Sequence, residues 1–312
     1  MALGKPNLEI FAETLLTLAQ ADRDILVVTS DSRGSGKLGP FGKALPDQIV
    51  EVGIAEQNLV GIAAGLASAG KKVYAVSPAC FLTARSLEQI KNDVAYSDNR
   101  VKVIGISAGV SYGALGSTHH SLHDFAALQA INNLDIVAPA DNFETRAVIE
   151  AALHHPRPIY IRFGKQAMPD LHNAATPFAI GQAIPLAEGT DVTLIAIGET
   201  VARAFQASQV LAAQGISAGV ISMHTLKPLD EAAVLNAASR SKAIITVEEH
   251  SVYGGLGSTV AALLMEQGVA VRFKIVGIPD EYTVTGSQNE IFAHYGITAE
   301  GLAESAKWLL TK

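Results

Sequence analysis

The chain has 312 residues, of which 49% are apolar and 17% are charged, and its formal net charge is −7. This length allows two ordinary domains with substantial cores, and an acidic chain without a long basic run argues against a nucleic-acid ligand. The single cysteine, Cys80, excludes an internal disulfide, and the chain contains no uninterrupted apolar stretch of about 18 residues, so no membrane span is predicted.

Helices and strands alternate along the first half of the chain. The predicted elements are, in order, helix 11–22, strand 24–31, helix 57–70, strand 71–78, helix 86–96, strand 100–109, strand 134–140, helix 144–155 and strand 158–164. Short apolar strands that alternate with helices predict a parallel sheet covered on both faces. Ligands of such sheets collect at the carboxyl ends of the strands, which here read TSDSRGSG, SPACF, ISAGVSYGALGSTHH and RFGKQ.

The pattern lapses after the last of these strands, in a segment that holds three prolines, and then resumes. The later elements are predicted as strand 191–199, helix 200–215, strand 216–224, helix 230–240, strand 242–250, helix 257–268, strand 271–280 and helix 299–312. We therefore predict an α/β fold of two domains, each a mostly parallel sheet flanked by helices. The domains are expected at residues 1–168 and 189–312, with a link at 169–188.

Glu56 precedes a run of small apolar residues in EVGIAEQNLVGIAAGLASAG, residues 51–70. One interpretation is an acid that stabilises the N-terminus of a helix through the helix dipole. The other is a general acid or hydrogen-bond partner in an apolar cleft, where burial favours the protonated carboxyl.

The segment GVSYGALGSTHHSLHD, residues 109–124, follows a predicted strand and holds three histidines. It could be a polar loop that lends His119 to an active site, or a plain loop with Ser121 as a helix cap. A metal site at His120 and His123 is disfavoured, because no set of acids and cysteines completes a usual zinc shell. Phe81, after another strand, is either a core aromatic or a stacking platform for a flat ring.

Eight segments in this order resemble the C-terminal half of transketolases, and closely resemble the second subunit of split transketolases. They are DQIVEVGIAEQNLVGIAAGLA, ARSLEQIKNDVAYSDNRVKVIG, GSTHHSLHD, LDIVAPADNFETRAVIEAAL, PIYIRFGK, SMHTLKPLDEAAV, TVEEHSVYGGLGS and GIPDEYTVTGSQNEIFAHYGIT.

The resemblance implies thiamine diphosphate as the cofactor and a transferase activity, and the single cysteine indicates a reducing cytoplasm as the location. By resemblance, Glu56 hydrogen-bonds the pyrimidine nitrogen of the cofactor and Phe81 stacks on the pyrimidine. Arg85 lines the same pocket. His119 lies near the carbonyl and hydroxyl groups of the sugar donor, and His120 is a weaker candidate there.

The chain contains no GDG followed by the asparagine that holds Mg²⁺ and the diphosphate in this family. The resemblance therefore implies that a partner, the N-terminal diphosphate-binding subunit, supplies these contacts. An α2β2 heterotetramer is the expected minimum, and this chain alone should be inactive.

The substrate-contacting positions depart from the family pattern, because GALGSTH stands where GEDGPTH is usual. Leu115 replaces an aspartate that touches a substrate hydroxyl, Ser107 replaces a histidine, and Lys165 replaces an arginine. Lys165 can still hold a phosphate as a point charge, and Ser35 is a further candidate for the distal phosphate. An apolar residue at 115 fits an unusual or branched ketose phosphate, apulose 4-phosphate among them.

Three alternatives to ketol transfer stay open from the sequence. The first is a 2-oxoacid dehydrogenase β subunit, which shares EVGIAEQ but is expected to have a different C-terminal domain. The second is a deoxyxylulose-phosphate synthase, which GIPDEYTVTGS resembles but which is normally one long chain. The third is a regulatory or structural partner in which Glu56 and His119 are idle.

Overall fold

Two mostly parallel sheets organise the chain in the computed structural model, which describes residues 2–312. The strands are β1 Leu3–Pro6, β2 Ile25–Thr29, β3 Ile49–Glu51, β4 Lys72–Pro78, β5 Lys102–Ile106, β6 Asp135–Val137, β7 Ile159–Arg162, β8 Ala167–Pro169, β9 Ile184–Ala187, β10 Val192–Ala196, β11 Ala218–Ser222, β12 Thr225–Lys227, β13 Ala243–Ser251 and β14 Arg272–Ile278. The helices are α1 Asn7–Ala21, α2 Gly39–Ala44, α3 Glu56–Ser68, α4 Ala79–Arg85, α5 Leu87–Gln89, α6 Asp124–Gln129, α7 Asn142–Leu153, α8 Thr200–Ala212, α9 Glu231–Arg240, α10 Leu256–Glu266, α11 Gln288–His294 and α12 Ala299–Leu310.

The strand order places helices on both faces of each sheet. The first sheet has the order β12-β6-β7-β5-β4-β2-β3, and the second has the order β14-β13-β10-β11-β9. Every neighbouring pair is parallel except the edge pairs β12–β6 and β9–β11. A short antiparallel pair, β1–β8, stands apart from both sheets. The predicted fold class is therefore confirmed.

The helix α3 begins at the acid singled out in the sequence. It buries Leu59, Val60, Ala63 and Ala64, and its small side chains allow close packing on the sheet. The helix ends before Gly70, whose φ of +86° is the left-handed conformation common at helix ends. The observed bounds lie within two residues of the predicted helix 57–70.

The predicted helix 86–96 differs from the expectation in its winding. Leu87–Gln89 is α-helical, but Ile90–Tyr96 is a π-helix. A π-helix has wider turns than an α-helix, with hydrogen bonds between residues five apart, so residues i, i+4 and i+5 share one face. Ile90, Val94 and Ala95 are buried in the π-helical turns.

One of the three buried apolar clusters includes residues of both sheets. A single buried cluster includes Val103 of β5, Ile136 of β6, Ile195 of β10 and Ile244 of β13. β12 crosses from the second half of the chain to pair with β6 in the first sheet.

The expected link 169–188 contributes a strand to the fold, because β9 lies inside it and forms an edge of the second sheet. The exact domain boundaries stay a prediction. None of the helices between residues 2 and 312 is long and apolar enough to cross a membrane.

Candidate functional site

The candidate residues meet at the carboxyl edge of the first sheet. β4 ends at Pro78 and is followed directly by α4, which bears Phe81 and Arg85. β5 ends at Ile106 and is followed by the glycine-rich loop that bears His119. β7 ends at Arg162, three residues before Lys165. Because these strands are parallel, their loops emerge side by side.

Glu56 is the first residue of α3 and is only 4% exposed. Arg85 donates from Nη1 to both carboxylate oxygens of Glu56, at 3.0 Å each. The Arg85 side chain is 47% exposed, so the ion pair joins a buried acid to a cation at the mouth of the pocket. The sequence did not predict this contact, although both residues were assigned to one pocket by resemblance.

Phe81 lies between Arg85 and His119. The Arg85 guanidinium carbon is 4.3 Å from the centroid of the Phe81 ring, so the cation covers one face of that ring. The His119 ring contacts Phe81 edge-on, with 5.2 Å between centroids and 74° between planes. Phe81 is half-buried, which agrees with a stacking platform better than with a core aromatic.

The loop between β5 and α6 is stabilised by tight turns around Gly113 and Gly116. His119 Nδ1 lies 2.9 Å from Thr118 Oγ1, which fixes the orientation of the imidazole. His120 points inward and donates from Nε2 to the Gly113 carbonyl at 2.9 Å. Burial lowers the pKa of His120, so it is neutral near pH 7. His120 therefore holds the loop, and its buried Nδ1 has no partner among residues 2–312.

Tyr112 extends the site beyond the residues that the sequence identified. Its ring contacts His119 edge-on at 5.5 Å between centroids, and Lys165 Nζ lies 4.5 Å from its centroid. Burial raises the pKa of Tyr112, so it stays a neutral phenol. An aromatic residue in a glycine-rich loop after a strand is a signal that could have found it. Glu56, Arg85, Phe81, His119, Tyr112 and Lys165 thus form one continuous series of contacts, called here the catalytic array.

The remaining candidates lie beside this array. Leu115 is 55% exposed at the tip of the same loop, and Ser107 is buried just after β5. The Ser35 hydroxyl donates to the carbonyl of Ser32 at 3.3 Å, so its described hydrogen bond stays inside its own loop. His123 Nε2 lies 3.4 Å from Thr83 Oγ1. Between residues 2 and 312, no group of three or more metal-ligating side chains is assembled.

The second half of the chain supports the loops that bear the array. Glu249 accepts a hydrogen bond from the backbone of Val110 at 2.8 Å, and Glu199 accepts one from the backbone of Gly164 at 3.1 Å. Burial, followed by repulsion from Glu249, raises the pKa of Glu199 to about 8. Burial also raises the pKa of Glu249 to about 7. Two buried acids, Glu249 of β13 and Glu199 immediately before α8, therefore fix the bases of the His119 and Lys165 loops.

A buried ion pair stands beneath the same loops. Arg162 Nη1 donates to the Asp124 carboxylate oxygens at 2.8 and 3.1 Å, and Arg162 Nη2 donates to the Glu249 carbonyl at 2.8 Å. Tyr160 donates to Asp124 Oδ2 at 2.7 Å. These bonds join β7, α6 and β13 without a solvent-exposed partner.

The array fits a flat heterocycle with a ring nitrogen that can form a hydrogen bond with a carboxyl group. Glu56 offers a buried carboxyl that can share a proton, and Phe81 offers an aromatic face near it. His119 adds a polar group on the solvent side. This combination fits the pyrimidine of thiamine diphosphate.

Comparisons with known proteins agree with this arrangement. The family model described as the pyrimidine binding domain of transketolase matches residues 6–170, and that of the transketolase C-terminal domain matches residues 181–302. The chain is 52% identical over 297 residues to a subunit of apulose-4-phosphate transketolase from Phocaeicola vulgatus, with 95% of each chain covered. It is 38% identical over 298 residues to the subunit of the same name from Actinobacillus succinogenes, with 95% and 96% covered. A solved structure described as "Split gene transketolase, inactive beta4 tetramer" is similar with a TM-score of 0.89 and 35% identity, over 99% of both chains.

Proposed function

The chain belongs to the transketolase family, whose members are thiamine diphosphate-dependent transferases, and we propose that it supplies the pyrimidine side of the cofactor site in a two-subunit enzyme. The observation that carries this proposal is the contact of buried Glu56 with Arg85, next to the Phe81 ring and His119. The reaction proposed is the movement of a two-carbon ketol unit from a ketose phosphate to an aldose phosphate.

When bound, thiamine diphosphate supplies a carbon nucleophile and an electron sink. Buried Glu56 would hydrogen-bond the pyrimidine nitrogen through a carboxyl oxygen, where a proton can be shared between the two groups. Arg85 keeps the carboxyl oriented from the pocket mouth. Phe81 would position the pyrimidine by aromatic stacking.

The outer part of the catalytic array binds and orients the sugar. His119 hydrogen-bonds carbonyl or hydroxyl oxygens of the donor and moves a proton at those oxygens. Lys165, held over the Tyr112 ring, attracts the substrate phosphate as a point charge. Exposed Leu115 presents an apolar surface where a hydroxyl contact is usual in the family.

A partner subunit is part of the proposal. The two relatives named as transketolase subunits match over nearly their full length, and the similar split-gene structure is described as an inactive beta4 tetramer. Both support a diphosphate-binding partner that supplies most contacts to the diphosphate and Mg²⁺. An α2β2 heterotetramer in the cytoplasm is the assembly proposed, and the single buried Cys80 agrees with a reducing compartment.

Apulose 4-phosphate, or a similar branched ketose phosphate, is the donor proposed for this enzyme. The names of two relatives and the exposed Leu115 support this choice. The test is co-expression with the diphosphate-binding subunit, followed by a donor screen with thiamine diphosphate and Mg²⁺. The screen compares apulose 4-phosphate, xylulose 5-phosphate and pyruvate, and Leu115→Asp serves as the matched variant.

We expect apulose 4-phosphate to give the highest kcat/KM, and Leu115→Asp to shift the preference towards xylulose 5-phosphate. Turnover of pyruvate but of neither ketose phosphate would contradict ketol transfer. It would favour a deoxyxylulose-phosphate synthase or a 2-oxoacid dehydrogenase. A preference for xylulose 5-phosphate in the wild type would contradict the branched substrate only.

A further inference from the structure

A cavity of about 470 Å³ lies at the amino edge of the first sheet, opposite the catalytic array. We call it the amino-edge cavity. Its walls come from the starts of β4 and β5 and from the ends of α3 and α7, and they include Lys72, Lys102, Arg100 and His154. Because β4 is seven residues long, the cavity lies roughly 20 Å from the catalytic array. It belongs to a different surface of the protein.

The cations of this cavity are not all neutralised by the chain. Lys71 pairs with Asp24 at 2.6 Å, and Lys72 pairs with Asp22 at 2.7 Å. Among residues 2–312, Lys102 and Arg100 form no ion pair with a carboxylate. Asp98 is the one acid in the described lining, and its Oδ1 accepts a hydrogen bond from Asn133 at 2.7 Å.

Lys102 is the residue that is hardest to explain as a structural group. It is the first residue of β5, and only 2% of it is exposed. Its Nζ lies 5.8 Å from the centroid of the Tyr74 ring, and its side chain lines the cavity. Burial, together with repulsion from Lys72 and Arg100, lowers the pKa of Lys102 to about 8. A buried cation without a counter-charge is unfavourable, and an anion in the cavity would remove that penalty.

We propose that the amino-edge cavity binds the phosphoryl group of a small anion, with Lys102 and Arg100 as its principal ligands. Lys102 supplies a buried ammonium, and Arg100 supplies a planar fork that matches two phosphoryl oxygens. The volume lies within the range of small-molecule sites, roughly 300–1,000 Å³, so a phosphorylated metabolite fits as well as free phosphate. This site is independent of the proposed ketol transfer.

Binding of inorganic phosphate and of glucose 6-phosphate to the full chain tests the proposal by calorimetry at constant ionic strength. Three variants are compared with the wild type. Lys102→Met keeps the aliphatic stem and removes the charge, and Arg100→Gln removes an exposed charge that folding does not need. Lys274→Met removes a cation of β14 that lies over the Trp308 ring and lines neither the cavity nor the catalytic array, and it is the matched control.

We expect saturable binding by the wild type at millimolar concentration or below, about tenfold weaker in each cavity variant and unchanged in Lys274→Met. If inorganic phosphate binds more tightly, the natural ligand is free phosphate; if glucose 6-phosphate binds more tightly, it is a phosphorylated metabolite. Lys102→Met should also melt at a higher temperature than the wild type without ligand, because a buried unpaired cation is gone. Unchanged affinity in both Lys102→Met and Arg100→Gln, or an equal loss in Lys274→Met, would overturn the proposal. The measurement does not use activity, so its outcome is separate from that of the ketol-transfer proposal.

Discussion

Replacing Asp124 by alanine should destabilise the protein far more than replacing an exposed aspartate. Asp124 is fully buried and is the counter-charge of Arg162, which is 5% exposed. Burial alone would raise the pKa of Asp124, but the charges of Arg162 and His250 and the Tyr160 hydrogen bond outweigh it and lower that pKa. The carboxylate is therefore ionised at neutral pH and neutralises the arginine.

The size of the effect follows from what alanine leaves behind. Arg162 keeps one bond, from Nη2 to the Glu249 carbonyl, but loses both contacts of Nη1. The Tyr160 hydroxyl also loses its acceptor. Removing one partner of a buried ion pair costs about 3–5 kcal/mol, and we expect the free energy of unfolding to fall by that amount.

The assay is denaturant unfolding followed by circular dichroism, with Asp24→Ala as the matched control. Asp24 is 57% exposed in its pair with Lys71, so its loss should cost about 0–1 kcal/mol. Equal destabilisation by the two variants would refute the reasoning. It would mean that burial does not increase the free-energy cost of removing one partner of an ion pair.

Three further predictions concern the catalytic array and its support. His119→Ala should lower kcat/KM of the assembled enzyme about 10²-fold or more while the affinity for thiamine diphosphate stays unchanged, and equal losses of both would contradict a role at the donor. Lys165→Met should raise KM for phosphorylated donors roughly tenfold with kcat retained, as measured by steady-state kinetics. Glu199→Gln should remove a pH dependence of stability. The raised pKa of Glu199, about 8 against 4.5, makes its stabilisation complete below pH 4.5 and lost as the pH rises through 8. The melting temperature should therefore fall less between pH 5 and pH 9 for the variant than for the wild type. An equal fall in both proteins would show that Glu199 does not cause the pH dependence.

The long periodic elements were predictable from the sequence, because burial on one face imposes its own repeat. α3, β4 and β10 lie where the apolar pattern places them. The edge strands β9 and β12 were missed, since a short strand with one neighbour needs no continuous apolar run. β12 in particular joins a sheet in the other half of the chain, and local sequence cannot indicate that pairing.

The family resemblance identified the central residues of the site, and the structure shows which of them are in contact. Motifs identified Glu56, Phe81 and His119, but the ion pair with Arg85 and the role of Tyr112 depend on distances across different loops. Lys165 meets Tyr112 across 53 positions of sequence, so no spacing rule connects them. The sequence does not distinguish Glu199 and Glu249 from other acidic residues at strand ends. Their hydrogen bonds with the backbone of Gly164 and Val110 are visible only in the structure.

The turnover of the assembled two-subunit enzyme with Glu56→Gln tests the central claim most directly. Glutamine keeps the shape and one oxygen acceptor for Arg85, but it loses the negative charge and cannot hold the proton that the carboxyl shares. The account predicts that kcat falls by about 10²–10⁴ while the complex still assembles and the variant chain stays folded. A Glu56→Gln enzyme with near-wild-type kcat would contradict the claim that this buried acid activates the cofactor.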